Sequence, residues 1–471
     1  NCTSLTSIYI PDSVTNIGFS AFAECDAVET ATIPATAISF IPKPNLKTVV
    51  ITGETSIKAY AFNNCTSLTN VTIGNSVTSI GYYAFYGCTS LTNVIIGNSV
   101  SSIENWAFSH CTSLTSIAIP ESVTSIGNHA FEKCPLTYNE YDNAYYLGNE
   151  SNPYLALVKV KTKFITSCSI NKNTKIIGMY VFSTCSLTSV AIPTGVSSIG
   201  ESTFSNCSSL ASVTIPESVT SIEENAFYGC NSLKSVTIPE SVTEIGDSAF
   251  AECNAVETAT VHATAISFIP KPNLKTVVIT GGTSIGYSAF SNCTSLTSIT
   301  IPEGVTDIGD MAFFNCTSLK SIKIPESVTS IGHSSFRSCS SLTNINIPEG
   351  VTSIGNSAFS FCNSLNYNEY DNAYYLGNEN NPYLALIKAK DTSVESCSIN
   401  ENTKFIMSSA FEQCSLLTSI TIPDGVASIG SWIFAKCSSL KSITLPDSVT
   451  SIESYAFYYL SLIHISEPTR P

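Results

Sequence analysis

The sequence predicts a β-rich repeat solenoid of about 18 stacked coils, each about 23 residues long. One complete repeat unit runs from Cys111 to Cys134, CTSLTSIAIPESVTSIGNHAFEKC, and the preceding copy begins 23 residues earlier at Cys88. A fixed period of roughly 20 to 30 residues is typical of solenoids. One such unit cannot bury its apolar face alone, so neighbouring coils must stack and stability must come from nearest neighbours.

Within the unit, the residue pattern predicts three short segments. TSIAIP alternates apolar and polar residues, which indicates a short strand that Pro120 ends by removing a backbone donor. ESVTSIG predicts a second extended segment, after which Gly127 relaxes the backbone. NHAFEKC places its apolar residues at one-turn spacing, which predicts a short helical or 3₁₀ turn. The predicted inward residues are Leu114, Ile117, Ile119, Val123, Ile126, Ala130, Phe131 and Cys134.

Composition supports a folded core and excludes two classes of protein. Hydrophobic residues make up 43% of the chain, which is enough to bury a core. The net charge of −15 argues against a nucleic-acid partner, because such a partner requires clustered Lys and Arg. No apolar run is long enough to predict a transmembrane segment.

The 18 cysteines fall almost entirely at one position of the repeat. Stacking places equivalent residues about 4.8 Å apart, and disulfides between successive coils would need a geometry outside that ladder. We therefore predict buried free thiols that act as small apolar side chains, which leaves the redox compartment open. Cys168 and Cys397 lie outside this ladder, because each replaces an inward strand residue.

A longer period is superimposed on the 23-residue repeat. Cys25 recurs as Cys253, 228 residues later, together with a short Pro-Lys-Pro coil and an insertion. The insertions occupy residues 137–164 and 366–393, and each is predicted to be a β-hairpin around an Asn/Gly-rich turn. Insertions in solenoids usually emerge on one face, often the binding face.

The two ends of the chain differ from its middle. Residues 1–459 are predicted to form a single continuous solenoid, a fragment that lacks both natural ends. Residues 460–471, LSLIHISEPTRP, match nothing else in the chain and resemble translated sequencing adapter rather than native protein.

The repeat L-T-S-I-x-I-P-x-S-V-T-S-I-G-x-x-A-F-x-x-C resembles the BspA-type leucine-rich repeat, and the segment NEYDNAYYLGN…NPYLALIKAK resembles an insertion that accompanies it. The resemblance covers residues 1–459. It implies a leucine-rich repeat solenoid of the kind found on surfaces, or among secreted proteins, of mucosal bacteria and parasitic protists. It also implies adhesion to host matrix proteins, host cells or other microbes, and therefore an extracellular or cell-surface location.

No catalytic, cofactor-binding or metal site is predicted. The chain contains no H-E-x-x-H, no paired C-x-x-C, no G-x-S-x-G and no phosphate-binding loop. His110 and His129 fall on variable turn positions, where solvated side chains are expected. We therefore expect that the protein is not an enzyme and uses no cofactor.

Two regular surface rows have both an ordinary and a functional interpretation. Glu303, Glu326 and Glu349 follow strand prolines, and stacked carboxylates can bind Ca²⁺, but one carboxylate per coil provides few ligands and favours a solvated edge. Ser212 and Thr214 belong to outward Ser/Thr rows that could bind ice or glycans. Bulky residues interrupt those rows, which favours an ordinary polar face.

The tyrosines of the insertions are the main candidates for ligand contacts, because tyrosine is enriched at interaction hot spots. Alternatively, these rings pack the hairpin onto the flank of the solenoid. The turns at residues 148–153 and 377–382 are the predicted exposed parts. The candidate contacts are Tyr138, Tyr141, Tyr145, Tyr146, Tyr154, Tyr367, Tyr370, Tyr374, Tyr375 and Tyr383.

Three functions from different classes follow from these observations. The first is a non-enzymatic adhesion or recognition scaffold that binds host or microbial protein or glycan through its repeat surface. The second is a structural spacer or surface-layer protein without a specific ligand. The third is the repeat stalk of a larger protein whose catalytic module lies outside this sequence.

Overall fold

The computed structural model describes residues 2–53, 56–460 and 464–465, the last pair by its backbone alone. Over these residues the chain forms a parallel β-solenoid of about 19 turns, which confirms the predicted fold class. It divides into two compact units, unit 1 with Asn1–Lys234 and Ser241–Ala255, and unit 2 with Ser235–Glu240 and Val256–Pro471. A single continuous solenoid over residues 1–459 stays a prediction.

The elements are short, and most are strands of two to five residues. Up to the first insertion they are β1 Ser7–Tyr9, β2 Thr30–Pro34, the 3₁₀ helix η1 Ala35–Phe40, β3 Thr48–Thr52, β4 Ser56–Ile57, β5 Asn70–Ile73, β6 Ser79–Ile80, β7 Asn93–Ile95, β8 Ser102–Ile103 and β9 Ser125–Ile126. The next are β10 Asn139–Tyr141, β11 Ala144–Leu147, β12 Ala156–Val160, β13 Ile176–Ile177, β14 Ser189–Ala191, β15 Ser198–Ile199, β16 Ser212–Thr214, β17 Ser221–Ile222, β18 Ser235–Thr237 and β19 Glu244–Ile245.

The remaining elements repeat this order. They are β20 Thr258–Val261, the 3₁₀ helix η2 Ala263–Phe268, β21 Thr276–Ile279, β22 Ser284–Ile285, β23 Ser298–Thr300, β24 Asp307–Ile308, β25 Ser321–Ile322, β26 Ser330–Ile331, β27 Asn344–Ile345, β28 Ser353–Ile354, β29 Asn368–Tyr370, β30 Ala373–Leu376, β31 Ala385–Ala389, β32 Ser396–Ser398, β33 Phe405–Ile406, β34 Ser419–Thr421, β35 Ser428–Ile429, β36 Ser442–Thr444, β37 Ser451–Ile452 and β38 His464–Ile465. Strand β38 pairs with β36; the rest of residues 461–471, predicted to be non-native, lies outside the described residues.

In unit 1 the first strands of successive coils pair in parallel in the order β1-β2-β3-β5-β7, and the second strands in the order β4-β6-β8-β9. Equivalent residues are in register, as where Val71 pairs with Val94 and Ile80 pairs with Ile103. After the insertion, β14 pairs with β16, and β15-β17-β19 form a second sheet. This register brings each inward residue onto its equivalent in the next coil, so the core continues from coil to coil.

Unit 2 has the same arrangement. Its first strands pair in the orders β18-β20-β21-β23, β25-β27 and β32-β34-β36-β38, and its second strands in the orders β22-β24-β26-β28 and β35-β37. Both short coils contain a 3₁₀ helix, ATAISF, before the Pro-Lys-Pro bend. The bend was predicted from the sequence, whereas the helix was not.

The third segment of each coil, here called the turn segment, consists of successive hydrogen-bonded turns. In residues 127–134, Ala130 N donates to Gly127 O, Glu132 N to His129 O and Cys134 N to Phe131 O, which is the i→i−3 pattern expected of a 3₁₀ turn. His129 and Lys133 have left-handed backbones, with φ of 55° and 59°. These two residues interrupt the helix, so the segment runs as a chain of turns.

Adjacent turn segments are joined by backbone hydrogen bonds. Trp106 N donates to Asn128 O at 3.0 Å, Phe108 N to Ala130 O at 2.8 Å and His110 N to Glu132 O at 2.7 Å. Alternate N–H groups therefore all point towards the following coil, as at the edge of a strand. We call this arrangement the turn ladder.

One phenylalanine per coil stacks on its neighbours in the core, with ring centroids 5.1–5.8 Å apart. The stacks end at each short coil and at each insertion, so the longer period is also present in the core. The runs are Phe62–Phe85–Phe108–Phe131 and Phe182–Phe204–Phe227–Phe250 in unit 1, and Phe290–Phe313–Phe336–Phe359 and Phe411–Phe434–Phe457 in unit 2.

All 18 cysteines are free, and all except Cys2 are buried. Ten thiols of the ladder donate to a phenylalanine carbonyl of the preceding coil, as from Cys111 Sγ to Phe85 O at 3.2 Å. Burial raises the pKa of Cys65 to about 12. Cys397 is a strand residue as predicted, whereas Cys168 is buried outside any assigned strand.

The glycine that follows the second strand has a different role from the one predicted. Gly127 does not have a left-handed backbone. A Cβ atom there would collide with the backbone nitrogen of Asn105 in the preceding coil. The glycine is therefore required by the close approach of two coils. Among the described residues, no helix is long and apolar enough to cross a membrane.

Candidate functional site

Each insertion forms an antiparallel three-stranded sheet attached to the solenoid. Strands β11 and β12 form the predicted hairpin, β10 adds on the far side of β11, and β12 pairs in parallel with β13 of the next coil. The second insertion repeats this arrangement with β29, β30, β31 and β33. The added strand NEY was missed because Asn139 and Glu140 have low strand propensity, which leaves Tyr141 as its one strand-favouring residue.

Two of the ten candidate tyrosines are core residues. Tyr146 and Tyr375 are 0% exposed, and their hydroxyls accept hydrogen bonds from Asn171 N at 3.3 Å and Asn400 N at 3.4 Å. Burial raises the pKa of Tyr146 to about 12. The prediction that these two rings contact a ligand is therefore wrong, because they fill the space between the insertion and the solenoid.

The other eight tyrosines form two clusters on each insertion. In the first copy, Tyr141 and Tyr154 lie around buried Tyr146, and Tyr138 packs against Tyr145 with centroids 5.6 Å apart. Tyr141 and its equivalent Tyr370 are 41% and 39% exposed, whereas the other six are half-buried. A role in ligand contact stays a prediction for these eight residues.

The turns of the insertions are partly exposed but firmly attached. Asn149 Oδ1 accepts hydrogen bonds from the backbone N–H groups of Ser151 and Asn152, and its Nδ2 donates to Ile119 O at 3.0 Å. Asn378 makes the same three types of bond in the second copy. The turn is therefore hydrogen-bonded to the preceding coil, at Ile119 in the first copy and Ile347 in the second, instead of projecting as a free loop.

A surface that the sequence analysis missed lies on the turn segments of unit 1. Tyr60, Tyr83, Trp106 and His129 occupy equivalent positions in four successive coils and stack on one another. Their centroids are 5.4, 5.7 and 4.4 Å apart, with interplanar angles of 11°, 8° and 30°. We call these four residues the aromatic ladder.

Further rings widen the aromatic ladder. Tyr82 meets Tyr83 edge-on at 4.2 Å and is 40% exposed, and Tyr86 packs against His110 at 4.8 Å. Lys133 Nζ also lies within hydrogen-bond distance of His110 Nε2, at 3.0 Å. The two histidines that were expected to be simply solvated are thus part of an aromatic surface.

The solenoid does not require aromatic residues at this position. The three Tyr and Trp residues of the aromatic ladder, Tyr60, Tyr83 and Trp106, have left-handed backbones, with φ of 59°, 54° and 61°. This backbone conformation costs roughly 1–2 kcal/mol for a residue with a Cβ atom. The same position with the same left-handed backbone holds serine in seven other coils: Ser20, Ser202, Ser248, Ser288, Ser334, Ser357 and Ser409. In the sequence, the residues of the aromatic ladder occupy the second variable position of the G-x-x-A-F motif, and aromatic side chains at that position could have revealed the surface.

The regular rows have the exposure expected of solvated surface. Glu303, Glu326 and Glu349 are exposed, as are Ser212 and Thr214 on the outward face. Within the described part of the chain, no cluster of three or more His, Cys, Asp or Glu residues is placed to hold a metal ion.

A family model describing the BspA-type leucine-rich repeat region matches the chain over residues 1–44, 37–151, 160–271, 265–380 and 389–470. The chain belongs to the BspA-type leucine-rich repeat family. Both insertions adjoin or overlap the boundaries of these matches, so the BspA-type repeat accounts for the coils more completely than for the insertions. No curated protein sequence is significantly similar to the chain.

Solved structures of bacterial proteins are similar to this BspA-type protein. A leucine-rich repeat protein from Bacteroides ovatus is 29% identical over 68% of this chain and 85% of its own, with a TM-score of 0.35. A leucine-rich cell surface protein from Faecalibacterium prausnitzii is 26% identical over 90% and 87%, with a TM-score of 0.24. The pneumococcal vaccine antigen PcpA is 19% identical over 74% and 89%, with a TM-score of 0.28.

Proposed function

We propose that the chain is a non-enzymatic recognition scaffold that acts at a cell surface or outside the cell and binds a protein or glycan partner. The observation that carries the proposal is the aromatic ladder of unit 1. Tyr60, Tyr83 and Trp106 have a backbone conformation that disfavours large side chains, at a position where seven other coils have serine. Aromatic residues at surface positions whose backbone conformation disfavours them are best explained by contact with a binding partner.

The geometry of the aromatic ladder favours a protein partner over a glycan. The faces of the inner rings, Tyr83 and Trp106, are covered by their stacked neighbours. Sugars stack on ring faces, whereas protein interfaces also use ring edges together with the Tyr hydroxyl and Trp N–H groups. The edges and polar atoms of this column would meet a partner along about four coils.

The location is proposed from the family and from its relatives. The repeat belongs to the BspA type, and one similar structure is described as a cell surface protein and another as a vaccine antigen. The alternative, a spacer without a ligand, is favoured by the regular rows of exposed serine and threonine in most coils. A spacer does not explain the aromatic ladder.

Binding of the purified chain to a panel of extracellular-matrix proteins and to cultured epithelial cells tests the proposal. In the variant Tyr60→Ser/Tyr83→Ser/Trp106→Ser, we expect affinity for the matrix protein or cell that binds to fall at least tenfold, a loss of about 1.4 kcal/mol or more. Serine is the residue of equivalent coils, so the fold is retained, and circular dichroism checks this.

Tyr9→Ser and Tyr287→Ser are the matched controls, because they remove tyrosines that are 74% and 73% exposed outside the aromatic ladder. Equal binding by the triple variant and these controls would contradict the placement of the site. Absence of saturable binding to every member of the panel would favour the spacer.

A further inference from the structure

The first insertion interrupts the turn ladder and opens a cleft in unit 1. The cleft has a volume of about 590 Å³ and lies between the turn segment 127–134, strand β12 with the residues that follow it, and the next turn segment. A smaller cleft of about 230 Å³ occurs at the equivalent place beside the second insertion in unit 2. Both clefts are lined by equivalent insertion residues, Tyr138 and Lys159 in the first and Tyr367 and Lys388 in the second.

One wall of the first cleft is a row of unpaired backbone donors. In the preceding coil, the N–H groups of Trp106, Phe108 and His110 all donate to the next coil. By the repeat, the N–H groups of His129, Phe131 and Lys133 point the same way, into the cleft, and no described residue accepts a hydrogen bond from them. In the preceding coil the three equivalent donors are all satisfied by carbonyl oxygens of one neighbouring segment, so a single polypeptide segment can pair with the whole row.

The cleft also has a strong local charge. Its lining contains four lysines and a single acidic residue, Glu132, in a chain whose net charge is −15. Lys159 lies 5.7 Å from the ring of Tyr145, and Lys163 Nζ donates to Val181 O at 3.0 Å on the opposite wall. Lys161 is paired with Glu140 at 2.9 Å. These lysines therefore surround the row of N–H donors with positive charge.

We propose that the first cleft binds an extended acidic polypeptide segment of a partner protein, which adds as a strand to the edge formed by His129, Phe131 and Lys133. A peptide segment presents a row of backbone carbonyl oxygens that can accept hydrogen bonds from the three N–H donors, and a glycan has no such row. Acidic side chains of the segment meet the lysines. This site adjoins the aromatic ladder at His129 but uses the backbone N–H of that residue rather than its ring. Its failure would therefore leave the proposed function untouched.

The test uses the full chain and a fluorescein-labelled peptide with the sequence acetyl-Glu-Val-Glu-Val-Glu-Val-Glu-amide. Its charge-reversed form with Lys in place of Glu is the matched probe, and a hyaluronan oligosaccharide is the anionic glycan probe. We expect saturable binding of the acidic peptide alone. Lys159→Glu/Lys163→Glu weakens it by about tenfold or more, whereas Lys234→Glu, an exposed lysine elsewhere in unit 1, stays within about twofold.

Hydrogen exchange supplies the readout that distinguishes strand addition from simple charge attraction. Bound peptide is expected to slow exchange at the amides of His129, Phe131 and Lys133 at least tenfold, because they become hydrogen-bonded. The proposal would be overturned if the acidic peptide binds without this protection, or if it does not bind at millimolar concentration. It would also be overturned if Lys234→Glu weakens binding equally, or if the hyaluronan probe binds more strongly than the peptide.

Discussion

The stacked phenylalanines provide the sharpest test of how this solenoid is stabilised. Phe108 is 0% exposed and lies between Phe85 and Phe131, with centroids 5.1 and 5.8 Å away. Replacing a core phenylalanine with alanine costs about 3–5 kcal/mol through lost burial and the cavity that remains. Each stacked pair contributes a further 0.5–1.5 kcal/mol or so.

The end of the run gives the comparison. Phe131 stacks on Phe108 alone among the described residues, because the insertion follows it. If stability is set by nearest neighbours, Phe131→Ala lacks one of the two stacking losses. We therefore expect Phe108→Ala to lower the free energy of unfolding by roughly 4–5 kcal/mol, and Phe131→Ala by about 1 kcal/mol less.

The assay is urea unfolding in a Trp432→Phe background. The chain has two tryptophans, so Trp106, two residues from Phe108, then reports the local transition by fluorescence. Exposed Ser116→Ala is the control and is expected to change the free energy of unfolding by less than about 0.5 kcal/mol. An equal or larger loss in Phe131→Ala would refute the nearest-neighbour reasoning.

Two further predictions concern the thiols and the insertion turn. Burial raises the pKa of Cys65 and Cys207 to about 12, from an ordinary value of 9.0, so stability is fully present below pH 9 and falls between about pH 9 and 12, by up to roughly 1.4 kcal/mol per pH unit for each thiol. Urea unfolding at pH 7 to 11 measures this slope; Cys65→Ala should reduce it, and an unchanged slope would argue against the assignment. Asn149→Ala removes three hydrogen bonds that fix the turn and is expected to cost about 2–3 kcal/mol and to speed amide exchange at residues 148–153. A cost no greater than that of the exposed neighbour Glu150→Ala would contradict the role of this side chain.

The repeat made much of the fold predictable from the sequence. The inward residues Val123 and Ile126 were correctly assigned, and the period-two alternation forms a first strand in most coils. The strand predicted for TSIAIP is wrong, because residues 115–120 form no assigned strand and Ile117 is only half-buried. The ladder of buried free thiols followed from spacing and disulfide geometry. The hairpin of each insertion was predicted from its alternating strands and its Asn/Gly-rich turn.

Contacts between coils could not be obtained from the pattern of a single coil. Sequence marks Tyr146 as one of many insertion tyrosines, and only the docking of the insertion onto the next coil buries it completely. Tyr60, Tyr83 and Trp106 are separated by 23 residues each and look like unrelated variable positions until the coils stack. Glycine is required at position 127 because the backbone of the preceding coil approaches it closely, and not because of its own backbone conformation.

The sequence by itself therefore determined the repeat, most of its strands and its core, because the inward and outward residues of a coil can be identified from that coil alone. Only the tertiary structure decided which variable residues meet, since the turn ladder aligns one position from every coil into a column. It also decided where donors remain unpaired, because His129, Phe131 and Lys133 precede an insertion and no turn segment of a regular coil follows to accept from them.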